Sequence, residues 1–339
     1  MADKIIENNR ELLFIYDAKL TNPNGDPDDE NRPRMDVATS RNLVSDVRLK
    51  RYIRDYLRDY KSKELFVTPV GDKIVNSTVR LKYLFLTHRK DNPLEPDKIT
   101  DDDLKAVTSD SLKGLKKEEL LEWLIDVRLF GATMTIREEA RGQGGESFTF
   151  TGPVQFSWGY SLNPVEINRS AAITSRFSST EEKGQGSIGK DWRVLYSVIA
   201  FYGSVSAKRA KHTKLTEADL ELLEEAMLKF PLMATTRSKT GQTPRLLLSV
   251  EYNGPEYLLG DLREFVELAP KDGDKELREV RDINEVKLDC TRLWERLNNN
   301  PKKIAKIRMW NHPHLALQPG IPEDLSKEDI SIKDEKQDA

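Results

Sequence analysis

The chain has 339 residues, 54 basic and 57 acidic side chains, a net charge of −3 and 37% apolar content. With a mean hydropathy of −0.62, it is long enough for a sizeable core in one or two domains and too polar to read as a membrane protein. No apolar run approaches the ~18 residues of a membrane span, no secretory pattern opens the chain, and the single cysteine, Cys290, excludes an internal disulfide. A cytoplasmic protein is expected, and a near balance of charge means that nucleic-acid affinity must come from local segregation. Positive charge gathers at 32–61 and 237–245, negative charge at 91–103 and 323–338.

The first apolar run, Leu12 to Tyr16, reads as a strand that ends in a loop containing Pro23, Gly25, Pro27 and Pro33, whose backbone angles are largely preset. A helix is expected over 39–61, capped by Thr39 or Ser40, because Leu49, Tyr52, Ile53, Tyr56, Leu57 and Tyr60 recur on one helical face. Lys50, Arg51, Arg54, Arg58 and Lys61 border that face, and Arg41 and Arg48 lie on its other flank. Between residues 32 and 61 nine basic residues face four acidic ones, a local net of +5. Two readings stay open: a phosphate-binding junction, or a solvated helix laced with Asp and Arg pairs.

Residues 62–147 look like a long insertion, with a strand expected at 79–87, an acidic proline-containing loop at 91–103 and a helix at 115–128. The acidic loop either meets a neighbour's basic surface or aids solubility. Gln143, in the run Gly142 to Gly145, belongs to a flexible loop or to a contact with an RNA backbone; the run lacks the Lys-Ser/Thr of a nucleotide-binding P-loop. From Phe148 the period changes to two (Phe148, Phe150, Val154, Phe156, Trp158, Tyr160, Leu162), giving a strand or hairpin interrupted near Gly152 and Pro153. Residues 163–192 lack a core pattern and form an extended projection. Residues 194–205 read as a central strand. Thr216 to Asp219 opens a helix with Leu220, Leu223, Ala226 and Met227 on its buried face, stopped by Pro231. The polar loop 235–245, where Arg237, Ser238, Lys239, Thr240 and Gln242 supply donors beside Gly241, leads into a strand at 246–250.

The order strand, helix, strand, strand, helix, strand is the ferredoxin-like arrangement also used by RNA-recognition folds, so the class expected is α+β. Residues 256–318 are expected to pack on that core, with a helix at 291–298, and 319–339 to be a flexible acidic tail. The carboxylates Asp26, Asp28, Asp29, Glu30 and Asp36 suit Mg²⁺ or ribose-hydroxyl activation on one reading, and turns and Arg pairs on the other. His312 and His314 flank Pro313 as a surface turn, and His88 and His212 are isolated.

Five blocks carry a family resemblance: Asn22-Pro23-Asn24-Gly25-Asp26-Pro27-Asp28, Asn31-Arg32-Pro33-Arg34, Leu43 to Arg51, Gly152-Pro153-Val154-Gln155-Phe156 and Ser161-Leu162-Asn163-Pro164-Val165. In this order they resemble the Cas-seven family, the backbone subunit of type I CRISPR Cascade complexes, nearest to its I-B and I-C branches; beyond about residue 256 the match is weak. The resemblance implies a modified ferredoxin-like, RNA-recognition-like palm (1–61, 148–163 and 193–255), a fingers insertion (62–147) and a β-hairpin thumb (164–192). It implies head-to-tail copies along a CRISPR guide RNA, with other Cascade subunits as partners, target DNA reached through the guide, and no membrane partner. Such a subunit is a non-enzyme without metal or cofactor. The alternative is a type III-like ribonuclease cutting target RNA with a loop aspartate. A subunit that holds a guide without reading it needs phosphate contacts and free base edges. The candidates for RNA binding are Asn22, Asn24, Arg34, Arg41, Arg48, Lys50, Arg51, Gln143, Arg176, Phe177, Lys190, Arg237, Ser238, Lys239, Thr240 and Gln242. Phe177 or Ile188 is the candidate wedge that displaces a base.

Overall fold

The computed structural model describes residues 4–89, 91–136, 147–174, 188–323, 325 and 328–330. The chain divides into two compact units: residues 1–7, 57–154 and 207–220 form one, and 8–56, 155–206 and 221–339 form the other.

The larger unit is built on a mainly antiparallel sheet; in chain order the main elements are β1 (Arg10–Thr21), α1 (Asp46–Lys61, assigned to this unit as far as Tyr56), β2 (Gly159–Ser161), β3 (Val194–Val205), α2 (Glu217–Met233, assigned to this unit from Glu221), β4 (Gln242–Tyr252) and β5 (Ile304–Asn311). Across the sheet the order is Glu328–Asp329, β5, β4, β1, β3, β2, Arg41–Val44, Met35–Asp36. β1 is central: Ile15 faces Ala200 of β3 on one side and Leu246 of β4 on the other. Arg10 through Ala18 are all buried, because both faces of the sheet are covered. Odd positions Leu13 and Ile15 join Val198, Leu248, Leu262, Val286, Leu288, Leu293 and Trp294 in one cluster, so the segment after residue 256 covers that face. On the other face Phe14 and Tyr16 meet the ring of Phe230 at 6.0 and 6.2 Å, and Tyr52 of α1 stacks on Phe230 at 4.5 Å.

Two buried carboxylates of β1 are matched with several partners. Glu11 is fully buried on β1 and accepts from the Tyr202 hydroxyl (2.5 Å), the Tyr252 hydroxyl and the amides of Leu259 (2.7 Å) and Gly260 (3.0 Å). Asp17 accepts from Arg245 Nη2 and the Tyr196 hydroxyl, both at 2.8 Å. A buried carboxylate is tolerated only with such partners.

The smaller unit has its own core, formed by Leu81, Leu84, Leu112, Leu120, Leu124, Val127, Met134 and Phe150 among others. It contains helices Ser77–His88, Lys117–Trp123 and Ile125–Phe130 and the hairpin of Gly131–Thr135 with Ser147–Thr151. The buried carboxylate of Asp126 ties down the amides of Phe66 (2.8 Å) and Val67 (3.1 Å). Gly131 and Gly152 pass so closely that a Cβ on Gly152 would lie 2.0 Å from the Phe130 carbonyl carbon. That contact explains the break in the period-two run.

Three expectations are corrected. Residues 79–87 are helical within Ser77–His88, because the Asn76 side chain caps the Val79 amide at 3.0 Å and Leu81 and Leu84 then fall on one buried face. α1 begins at Asp46 rather than Thr39: Arg41–Val44 is a strand, paired to Met35–Asp36 and to β2, and it buries Asn42 and Val44 in alternation. Pro231 lies inside α2, which runs on to Met233, since a proline in the final turn removes one amide without preventing the turn from closing. The expectations over 194–205 and 291–298 match β3 and the helix Thr291–Asn298.

Candidate nucleic-acid interface

The loop after β1 is a wired assembly rather than a free hinge. Gly25 pairs with Pro33 in a small hairpin, and a Cβ on Gly25 would lie 2.8 Å from the Asn31 backbone carbonyl oxygen, so any side chain there would force the loop to shift. Asn24 Oδ1 accepts from both the amide (2.9 Å) and the hydroxyl (3.0 Å) of Ser45, fastening the loop to the start of α1. Asn22 is 1% exposed and donates through Nδ2 to the Asn31 carbonyl at 2.7 Å. Both asparagines, expected to face sugar or phosphate, are structural ties.

Asp26 and Asp36 of the loop are engaged as well. Asp26 holds Arg34 at 3.1 Å and accepts from the Asp28 amide at 3.2 Å. Asp36 accepts from the Ala38 amide (3.1 Å) and the Thr39 hydroxyl (2.5 Å), and these hydrogen bonds, the hydroxyl first, hold its carboxyl below the usual range. Among the described residues no group of three or more His, Cys, Asp or Glu could hold a metal ion. His312 Nδ1 accepts from the His314 amide at 3.1 Å and lies 3.1 Å from Arg245, as a turn would.

The loop, the sheet edge and the first turn of α1 carry half-buried guanidinium groups lying on aromatic rings. Arg32 lies over Trp192 at 4.1 Å, Arg34 near Trp158 at 5.9 Å, Arg41 over Tyr160 at 5.3 Å and Arg48 over Tyr52 at 4.1 Å. Arg263 also covers Tyr160, at 4.4 Å, but it is buried, pairs with Asp261 at 2.5 Å and donates to the Trp158 carbonyl at 2.7 Å. A ring holds the flat face of a guanidinium and leaves its N–H edge for an anion. Beside Arg41 a cleft of about 560 Å³ is lined by Asp36, Thr39, Leu43, Tyr160, Leu162 and Pro164. Trp158 is 47% exposed, a large apolar surface beside a cation.

The second loop docks on the first. Asn22 donates its amide to the Ser238 carbonyl at 2.8 Å, and Lys239 Nζ donates to the carbonyls of Asn22 and Pro23. Burial, and then the Arg48 guanidinium, bring Lys239 down to about 7. Gln242 is 2% exposed at the start of β4 and donates to the Tyr52 hydroxyl (3.1 Å) and the Lys239 carbonyl (2.9 Å). It is therefore no free RNA donor: the strand begins four residues earlier than its apolar run and carries the side chain inside. The Thr240 hydroxyl donates to the Thr236 carbonyl at 3.2 Å. Arg237 stays exposed, 3.8 Å from Asp191.

The remaining candidates separate. Lys50 reaches Asp46 and Gln155, each at 3.2 Å, and Arg51 pairs with Asp55 at 2.8 Å, the solvated-helix arrangement. Lys190, in the two-stranded ribbon of Ala172–Thr174 with Ile188–Lys190, pairs with Glu30 at 2.6 Å. Gln143, Arg176 and Phe177 lie outside the described residues, as do the side-chain surroundings of Ile188. Sequence reasoning missed Arg32, Trp158, Tyr160, Trp192, Arg193 and Arg263. Arg193 links the Leu20 carbonyl (2.7 Å) to that of Arg237 (3.2 Å) and pairs with Asp191. The available signal was aromatics interleaved with cations, Arg32 to Arg34 and Trp192-Arg193, but their partners are far apart in the chain.

The family model for CRISPR-associated protein Cas7 matches residues 8–289. A CRISPR-associated protein Cas7 from Haloferax volcanii is 33% identical over 326 residues, covering 92% of this chain and 89% of that protein. A chain from the solved structure of a CRISPR RNA-guided surveillance complex, pre-nicking, shares the fold with a TM-score of 0.50 at 14% identity, over 91% of this chain and 95% of that one. The chain belongs to the Cas7 family of CRISPR-associated proteins.

Proposed function

We propose that the protein is a non-catalytic backbone subunit of a type I Cascade effector complex, polymerising along a CRISPR guide RNA and supporting its pairing with target DNA. The observation that carries this reading is the set of ring-supported arginines, Arg32, Arg34 and Arg41 on the loop and sheet edge and Arg48 in the first turn of α1, in a Cas7-family chain. In this reading these groups meet phosphates as charges. The central strand order β4, β1, β3, β2, with α1 and α2 between strands in the chain, supports the reading of a ferredoxin-like, RNA-recognition-like palm. In this reading the ribbon 172–174 with 188–190 is the root of the thumb, and segment 62–147 is the fingers. Engagement of Asp26 and Asp36 in turns and an ion pair supports a scaffold over a loop-aspartate ribonuclease.

Binding then comes mainly from counterion release. Affinity for single-stranded RNA should fall steeply with salt and vary little with sequence, and Arg34→Ala or Arg41→Ala should each reduce the log–log salt slope by roughly 0.7. Filter binding at several salt concentrations on two unrelated guide sequences tests this. Salt-independent binding, or loss on one sequence only, would refute it.

A further inference from the structure

We infer that Glu30 is an autoinhibitory carboxylate: in the RNA-free protein it pins the end of the ribbon to the first loop through Lys190, and RNA enters only after that pin opens. The inference rests on the RNA-binding reading and deepens it.

Two contacts join segments 160 positions apart in the chain. Lys190 Nζ donates to both carboxylate oxygens of Glu30, at 2.6 and 2.7 Å, and the Arg32 guanidinium lies over the Trp192 ring at 4.1 Å. Both reach from the small hairpin of Gly25–Asp26 with Arg32–Pro33 to the ribbon strand Ile188–Lys190 and the residues that follow it. While they hold, ribbon and hairpin move together. Arg193, next in the chain, is anchored by the carbonyls of Leu20 and Arg237 and by Asp191, so an opening of the pin leaves the start of β3 in place.

The closed arrangement is weakly held and carries its own costs. Lys190 and Glu30 are 51% and 52% exposed, so water screens their attraction. Glu30 and Asn31 have φ angles of 47° and 59°, a left-handed pair of residues that asparagine tolerates and glutamate does not favour. Arg32 Nε and Trp192 Nε1 are buried and have no hydrogen-bond partner among the described residues, so the stack leaves two donors unmet. A screened ion pair that closes over a left-handed turn and two unmet donors is poised to open. The carboxylate also neutralises in advance a cation that faces the same loop as Arg32, which is how an acidic side chain opposes a polyanion.

The experiment compares Glu30→Gln with Asp29→Asn, which removes the same charge from the same exposed turn, where Asp29 holds the loop through its backbone amide and carbonyl. Glu30→Gln should bind short single-stranded RNA roughly two- to fivefold more tightly than the wild type, and Asp29→Asn should gain clearly less. In a Lys190→Gln background the gain from Glu30→Gln should shrink to that of Asp29→Asn. Without RNA, hydrogen exchange at the amides of 189–192 should be at least about twofold faster in Glu30→Gln than in the wild type. Equal gains from the two acid variants, a gain that persists without Lys190, or unchanged exchange would each overturn the pin. If exchange rose in Glu30→Gln while neither it nor the wild type bound RNA, the pin would stand as a contact, and the RNA-binding reading and the inhibitory role with it would fail.

Discussion

Replacing Asn24 by alanine tests whether the loop after β1 works as a wired platform. Its Oδ1 is the acceptor for two donors, the amide and hydroxyl of Ser45, at 2.9 and 3.0 Å. Alanine removes both bonds at the entrance to α1, where the backbone amides have no partner within the helix. At about 1 kcal/mol for each bond, the loss is about 2 kcal/mol, which for a unit of this size lowers Tm by roughly 4–8 °C. The same loop carries Arg34, whose amide donates to the Asn24 carbonyl at 3.0 Å, so loosening it should also weaken RNA binding on every sequence alike. Asn24→Asp keeps an acceptor for Ser45 and should lose less than half as much stability, yet bind RNA more weakly through its added negative charge. Thermal denaturation followed by circular dichroism, with filter binding below the transition, reads both effects. If Asn24→Ala were within about 0.5 kcal/mol of the wild type, the tie between loop and helix would carry no energy and the platform argument would fail.

Other consequences follow from single contacts. Gly203→Ala would place a Cβ 2.6 Å from Phe156 Cε1, so it should cost about 1–3 kcal/mol, part of it recovered in a double mutant with Phe156→Leu; an additive pair would exclude the clash as the cause. Cys290 is buried and its thiol is pushed up to about 12 by burial and then by Asp289, so native protein should resist alkylation at pH 8 while unfolded protein reacts; rapid native labelling would contradict the packing. A hydrogen bond from Lys19 Nζ at 2.9 Å, followed by the Asn284 amide, holds Asp282 down at about 2. Because this folded value lies below that of an unfolded aspartate, the pair contributes stability above about pH 4 that is lost as pH falls towards 2. Asp282→Asn should therefore unfold with less dependence on pH between 4 and 2, and an unchanged acid-unfolding slope would show the pair to be inert.

The sequence by itself determined the elements that are periodic over many residues. β3 spans 194–205 and the late helix 291–298, as their apolar patterns require, and the basic character of the first loop and helix was visible in a local charge of +5. It also carried the family, because the blocks around Asn22 to Asp28 and Gly152 to Phe156 depend on turns and close approaches that few residues satisfy. Local patterns failed where a tertiary partner overrules propensity. Residues 41–44 sit in front of a strong helix yet pair with Gly159 and Tyr160, more than a hundred positions away. Gln242 reads as a loop donor until β1 draws it into the sheet beside Ala18. Only the tertiary structure decided which polar residues of the loop serve the fold, since Asn22, Asn24 and Lys239 have the composition of a phosphate site while much of their hydrogen-bonding capacity is taken by neighbouring backbone and side chains. It alone placed Arg32 on Trp192 and Arg41 on Tyr160, because these partners lie more than a hundred positions apart and no window of sequence contains both.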